Sequence, residues 1–225
     1  MTDTRHPQHR YPGHWRRLDH QHGLSHDCRC ALVDRENRLW AGSRRMGLTC
    51  YDGTEFRNYT VADGLPDNYV RRLCEDAHGV LWVGTHHGLA SFDGDRFTTH
   101  RFPRDHPNSV RALLATADGR LLVGGQRGLY ECRDGALVQI AHEDTGPVSV
   151  RALAEDHDGA LWVGLGTGAR KITRGGVEAF DAASGLSCDL VMCLAVDANG
   201  HVWAGTHGGG VNHYDGATWR AYTVA

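Results

Sequence analysis

Two adjacent histidines, His86 and His87, sit in the stretch LWVGTHHGLASFDG at residues 81–94. Imidazoles can ligate a metal, carry a proton or donate to an anion. Four further polar pairs occupy the same setting, a short turn after an apolar run: Arg44-Arg45, Gln126-Arg127, Gly166-Thr167 and His207-Gly208. The five turns hold arginine and histidine but no carboxylate. That donor set suits a small polar or anionic ligand. The metal alternative is weak on sequence. Side chains of neighbours in a tight turn are expected to diverge, and there is no HExxH and no cysteine pair at zinc spacing. Asp156-His157-Asp158-Gly159 is too short for a calcium loop. Gly164, Gly166 and Gly168 precede no helix and fall short of a dinucleotide fingerprint. The expectation is therefore no metal, no cofactor and no catalytic residue.

The turns recur because the chain repeats. A shared glycine stands at 42, 84, 124, 164 and 205, so the period is 40 to 42 residues. Within one unit, residues 69–75, 80–85, 89–92 and 96–102 read as short strands. They are separated by Asp76-Ala77-His78-Gly79, His86-His87-Gly88 and Asp93-Gly94-Asp95. Four strands in about 40 residues have the size of a propeller blade. Trp40, Trp82, Trp162 and Trp203 share one position in the second strand, with Leu122 in the third unit, as blade-to-blade packing demands. The fold expected is all-β, a β-propeller of five four-stranded antiparallel blades at about 24–60, 65–102, 108–140, 148–180 and 186–223. This domain, 14–225, follows a tail at 1–13. An extra outer strand at 14–19, carrying Trp15, competes with the one carrying Trp219. Either the ring closes with 14–19 outside it, or the five blades form an arc of a larger propeller. An arc would expose apolar faces and favour a homodimer.

Residues 64–99 resemble the two-component regulator propeller repeat: a Gly-Leu-Pro opening, an Asp-x-x-Gly turn, a Leu-Trp-x-Gly-Thr strand and a closing Asp-Gly turn. The likeness is close in unit two and good in units one and five. Unit three lacks the tryptophan and the Gly-Leu opening, and unit four lacks that opening and Tyr-Asp-Gly. The resemblance implies a ligand-sensing propeller of a larger regulator, with a signalling kinase or other protein as partner. Streptogramin lyase is similar in its short tryptophan-containing blades, and implies an enzyme with histidines, a carboxylate and a metal. The nearest set here is His86, His207 and Asp67 or Asp189, although that family's motif does not match residue by residue. A protein–protein platform anchored by Tyr69 is the third reading.

In a propeller the turn between second and third strands shares a face with the loop between blades. Those loops add Asp27, Asp67, Asn68, Tyr69, His106, Asn108, Ser149 and Asp189 to the rim. The ligand site expected there comprises Arg44, Arg45, His86, His87, Gln126, Arg127, Thr167 and His207, with Asp67, Asn68 and Tyr69. A net charge of −3 and pI near 6.6 give no electrostatic case for nucleic acid or a membrane surface. No apolar run is long enough to span a bilayer, and MTDTRHPQHR has no apolar signal core. Seven cysteines without a CxxC pair read as mostly buried, reduced thiols, and the chain as cytoplasmic.

Overall fold

In a computed structural model, the structure describes residues 23–25, 27–103, 109–140 and 148–223. They form five four-stranded antiparallel sheets, each laid down in chain order. Blade 1 is β1 (Cys28–Val33), β2 (Leu39–Ser43), β3 (Leu48–Tyr51) and β4 (Phe56–Tyr59). Blade 2 is β5 (Val70–Glu75), β6 (Leu81–Thr85), β7 (Gly88–Phe92) and β8 (Phe97–His100). Blade 3 is β9 (Ala112–Ala115), β10 (Leu121–Gly125), β11 (Gly128–Arg133) and β12 (Ala136–Ile140). Blade 4 is β13 (Ala152–Glu155), β14 (Leu161–Leu165), β15 (Gly168–Thr173) and β16 (Gly176–Phe180). Blade 5 is β17 (Val191–Val196), β18 (Val202–Thr206), β19 (Gly210–Tyr214) and β20 (Trp219–Tyr222). The first strands β1, β5, β9, β13 and β17 pack on one another in sequence, which places them innermost. The tail at 1–13, the outer strand expected at 14–19, His106 and Asn108 lie outside the described residues.

In four of the five blades one aspartate ties the first hairpin to the core. Asp156 Oδ1 accepts from the N–H groups of Asp158 and Ala160, and its Oδ2 accepts from Trp162 Nε1 at 2.9 Å. Asp34, Asp76 and Asp197 do the same for Trp40, Trp82 and Trp203. In blade 3, where leucine replaces tryptophan, Thr116 Oγ1 takes over and accepts from Arg120 N–H at 3.0 Å. A buried indole N–H needs an acceptor, so Asp-x-x-Gly-x-x-Trp acts as one unit.

The blades interlock through a glycine hole and a valine knob. A Cβ built on Gly42 would stand 2.5 Å from Val70 Cγ1 of the next blade; on Gly124, 2.7 Å from Val150; on Gly164, 2.8 Å from Val191. Gly84 is covered by Val110 in the same way. Val70, Val110, Val150 and Val191 are all 0% exposed. The shared glycines of the repeat are thus seats for the following blade.

The fifth seat is unfilled among the described residues. There a Cβ on Gly205 meets only Cys193 Sγ of its own strand. The residue of blade 1 that matches the valine knobs is Cys28, which is exposed. Val33 is 61%, Val211 43% and Met192 39% exposed, and no comparable seam joins blade 5 to blade 1 among the described residues. Among the described residues the five blades therefore form an arc whose two end blades share no such seam; the segment 14–19 lies outside those residues. The cysteines follow the same logic. All seven are free, five are buried or half-buried, and the two exposed ones, Cys28 and Cys193, lie on the open end faces.

Candidate functional site

Backbone hydrogen bonds tie the second-to-third-strand turns to the interblade loops. Arg44 N–H donates to Asp27 O at 3.1 Å, His86 N–H to Tyr69 O at 3.0 Å and His207 N–H to Leu190 O at 2.9 Å. Turns and loops therefore share one face. The loop into blade 2 is set by a 3-10 turn over Val61–Asp63, capped by Thr60 and ended by Gly64 at φ 105°, a conformation glycine adopts without penalty. The buried Leu65 that follows anchors it. Ala182–Ser184, Gly185 and Leu186 repeat the device before blade 5. This is the structural meaning of the Gly-Leu opening.

That loop delivers Tyr69 as a half-buried platform. The guanidiniums of Arg71, Arg29 and Arg44 lie 5.0, 5.8 and 5.9 Å from its ring centre, and the His86 ring stacks on it at 5.7 Å. The His86 and His87 rings do not diverge as expected. Their centres are 4.6 Å apart because both turn toward Asp67. Asp67 Oδ2 bonds His87 Nδ1 and lies 4.0 Å from His86 Nδ1. Asp67, His86 and His87 could offer a metal three ligand atoms within 4.8 Å, as could Asp197, His201 and His213 on the opposite face. The positive surroundings of the first group oppose a cation. Burial, then His87 and Arg71, lowers the proton affinity of His86.

The remaining rim residues separate into different places. Arg45 lines a cleft of about 520 Å³ on the open flank of blade 1, with Asp27, Met46 and Asn58. Asn68 and Asp189 are loop staples: Asn68 Oδ1 accepts from Val61 N–H at 3.0 Å, and Asp189 Oδ1 from Ala182 N–H at 2.7 Å. Gln126, Arg127, Thr167 and His207 are exposed on the same face, but no contact joins their side chains to the Tyr69 group among the described residues. The triad of His86, His207 and a carboxylate is not assembled; His87 stands where His207 was expected.

Arg29, Arg71, Arg111 and Arg151 were absent from the sequence reading. They occupy one repeat position at the start of each inner strand, where blade 5 carries Met192. Arg29, Arg71 and Met192 are the extra residues of β-bulges, since β1, β5 and β17 skip register at 28/30, 70/72 and 191/193. Arg111 and Arg151 donate their N–H groups to Gly124 O and Gly164 O just before the ladder begins, at 2.7 and 2.9 Å. A bulge breaks alternation and re-aims the side chain. Arg71, one of the bulged residues, lies within electrostatic reach of Arg151, two blades away. Burial, then Arg151 and Arg71, makes Arg111 a weaker base than an exposed arginine. The sequence signal was Tyr-Val-Arg at 69–71 and Ser-Val-Arg at 109–111 and 149–151, at the same period as the turns.

With this geometry in hand, the likeness to known proteins is informative. The family model for the two component regulator propeller matches residues 64–87, 146–167 and 185–208. The chain thus carries the two-component regulator propeller repeat in three of its five blades. Blade 4 matches without a Gly-Leu opening, whereas blade 1, which keeps one, does not. No protein of curated function matches the sequence. Among solved structures, the extracellular domain of a protein described as a hybrid two component system from B. thetaiotaomicron is similar at TM-score 0.76 and 23% identity, over 89% of this chain and 29% of that one. A second such domain from B. thetaiotaomicron gives 0.72 and 21%, over 88% and 28%. This chain therefore spans less than a third of those domains. Virginiamycin B lyase from Staphylococcus aureus, in a catalytically inactive form with quinupristin, gives 0.70 and 15%, over 87% and 69%. These likenesses establish the propeller fold. Among the described residues, no helix is long and apolar enough to cross a membrane.

Proposed function

We propose that this chain is the ligand-recognition module of a signalling protein, a non-catalytic propeller that takes a small polar or anionic ligand at its mouth. The observation that carries the reading is the Tyr69 platform, where three guanidiniums and an imidazole gather on one ring. Such a donor-rich, partly desolvated concavity favours an acceptor-rich ligand. The repeat and the two-component neighbours support a sensing role, with a kinase or other signalling protein reading the bound state. Their extracellular setting also favours a site outside the cytoplasm, against the cytoplasmic setting expected from the N-terminus and the thiols. Tyr69 lies half-buried among guanidiniums, which disfavours it as a protein-docking anchor.

The test is a thermal-shift screen of polar and anionic metabolites. A variant with Arg29, Arg44 and His86 all changed to alanine is expected to keep its β-sheet spectrum and lose the ligands that stabilise the parent. If the same ligands shift both proteins equally, the mouth assignment is wrong. The convergence of Asp67, His86 and His87 favours a second reading, a lyase-like acid–base site. Metal-dependent turnover of quinupristin, lost in Asp67→Asn, would establish it in place of the first.

A further inference from the structure

We infer that the inner-strand arginines Arg71, Arg111 and Arg151 form a binding site for a compact oxyanion bearing two or more negative charges, of the di- or tricarboxylate or phosphate type. The inference rests on the reading of the mouth as a recognition site and names what is recognised.

Three guanidiniums on successive blades lie within electrostatic reach of one another, and none forms an ion pair with a carboxylate among the described residues. This contrasts with Arg35, Arg38, Arg120 and Arg133, each held by an acid at 3.0 Å or less. Arg29, on the open end, has Asp27 at 3.8 Å. Like charges gathered without a counter-ion repel one another and are disfavoured by burial.

The polar atoms around them are also unfinished. Arg71 Nη1 donates to Ser109 Oγ at 2.9 Å. The matching pair one blade on is Arg111 and Ser149, yet Arg111 Nε and Ser149 Oγ are both buried without a partner, and so is Arg151 Nε. Among the described residues the one other hydrogen bond of the Arg151 side chain is from Nη1 to Met192 Sδ, at 4.0 Å. Buried donors left unmade are rare in folded proteins unless a ligand, water or ion completes them. Guanidinium forks match the paired oxygens of carboxylate and phosphate, and one oxyanion between Arg111 and Arg151 would complete both. The third cation, Arg71, calls for a second charge on the same ligand. Blade 5 marks the edge of the site, since Met192 replaces arginine there.

The test is isothermal titration of the full chain with citrate, pyrophosphate and inorganic phosphate at physiological ionic strength. The parent is expected to bind citrate or pyrophosphate more tightly than phosphate. Preference for citrate identifies a carboxylate ligand, and preference for pyrophosphate a phosphorylated one. Arg111→Met with Arg151→Met copies the side chain that blade 5 already tolerates. It is expected to weaken binding by about tenfold or more per arginine. No binding by the parent, or equal binding by the double variant, overturns the proposal. Loss in the Arg29, Arg44 and His86 triple variant alone also overturns it, while leaving the mouth reading intact. Should the double variant misfold, phenylglyoxal footprinting of the parent decides. Citrate or pyrophosphate should slow modification at Arg111 and Arg151, and unchanged rates there refute the site.

Discussion

Gly42 and Gly205 are a matched pair that reports whether a following blade is present. Each holds the shared glycine position of its unit, and each would place an added Cβ 2.5 Å from the Sγ of a cysteine on its own first strand. Gly42 alone would also meet Val70, at 2.5 Å from Cγ1 and 2.9 Å from Cβ. Val70 is fully buried, branched at Cβ and stiff, so it cannot yield by rotation. The seam must open, and overpacking of this kind costs about 1–3 kcal/mol, or about 2–12 °C in Tm for a chain of this size. In Gly205→Ala the methyl meets only Cys193, which is exposed and free to swing outward. Its cost should stay within about 0.5 kcal/mol. Calorimetry on the two variants, with circular dichroism to confirm a single transition, measures the difference. Equal destabilisation would refute the open arc, because some part of the molecule would then cover Gly205. No loss in Gly42→Ala would refute the knob-and-hole seam.

Two further outcomes follow from named contacts. Asp156→Ala strands the buried Trp162 Nε1 and two turn N–H groups, so it should cost about 2–3 kcal/mol and lower Tm by about 4–12 °C. Its neighbour Asp158, exposed at the turn tip, should cost under about 0.5 kcal/mol when changed to alanine, and equal losses would refute the role given to Asp156. His86 takes up a proton less readily in the fold than in the unfolded chain, through burial first and then His87, Arg71 and Arg111, with Asp67 opposing. Its contribution to stability is therefore complete above pH 6.5 and falls as pH drops below that value. His86→Gln should flatten the decline of Tm between about pH 7 and 5.5, and parallel curves for parent and variant would refute it.

The fold was legible because its marks recur. Glycine at a fixed period, and in four units of five a second-strand tryptophan with an aspartate turn before it, are local features, and five copies average out the noise of any one. Their coupling was less visible. Asp156 and Trp162 read as a turn signal and a core residue, and only the shared carboxylate shows that they form one device. The site was half legible. His86, Asp67 and Tyr69 were found because hairpin turns and interblade loops stand out in a strand pattern. The divergence expected of His86 and His87 failed because adjacency in sequence says nothing of a carboxylate on another loop that draws both rings inward. Arg71, Arg111 and Arg151 were overlooked for a different reason. Inside an alternating strand an arginine beside a buried valine reads as the solvent-facing partner, and neither the bulge at Arg71 nor the late start of the ladder after Arg111 and Arg151 leaves a mark in a single copy.

The start of each inner strand gives the repeat two separable functions in consecutive residues. In Val70-Arg71, Val110-Arg111 and Val150-Arg151, the first residue fills the glycine seat of the preceding blade and the second joins the cluster of guanidiniums. The end blades show that the two positions vary independently. Blade 5 keeps the knob and loses the charge, with Val191-Met192, while blade 1 keeps the charge and loses the knob, with Cys28-Arg29. A residue that only packs and one that only joins the cluster can change without disturbing each other. The seam thus fixes where each blade stands, while the clustered position determines what the mouth attracts. Recognition in this arc therefore needs no departure from the repeat, only a choice of side chain one residue past each knob.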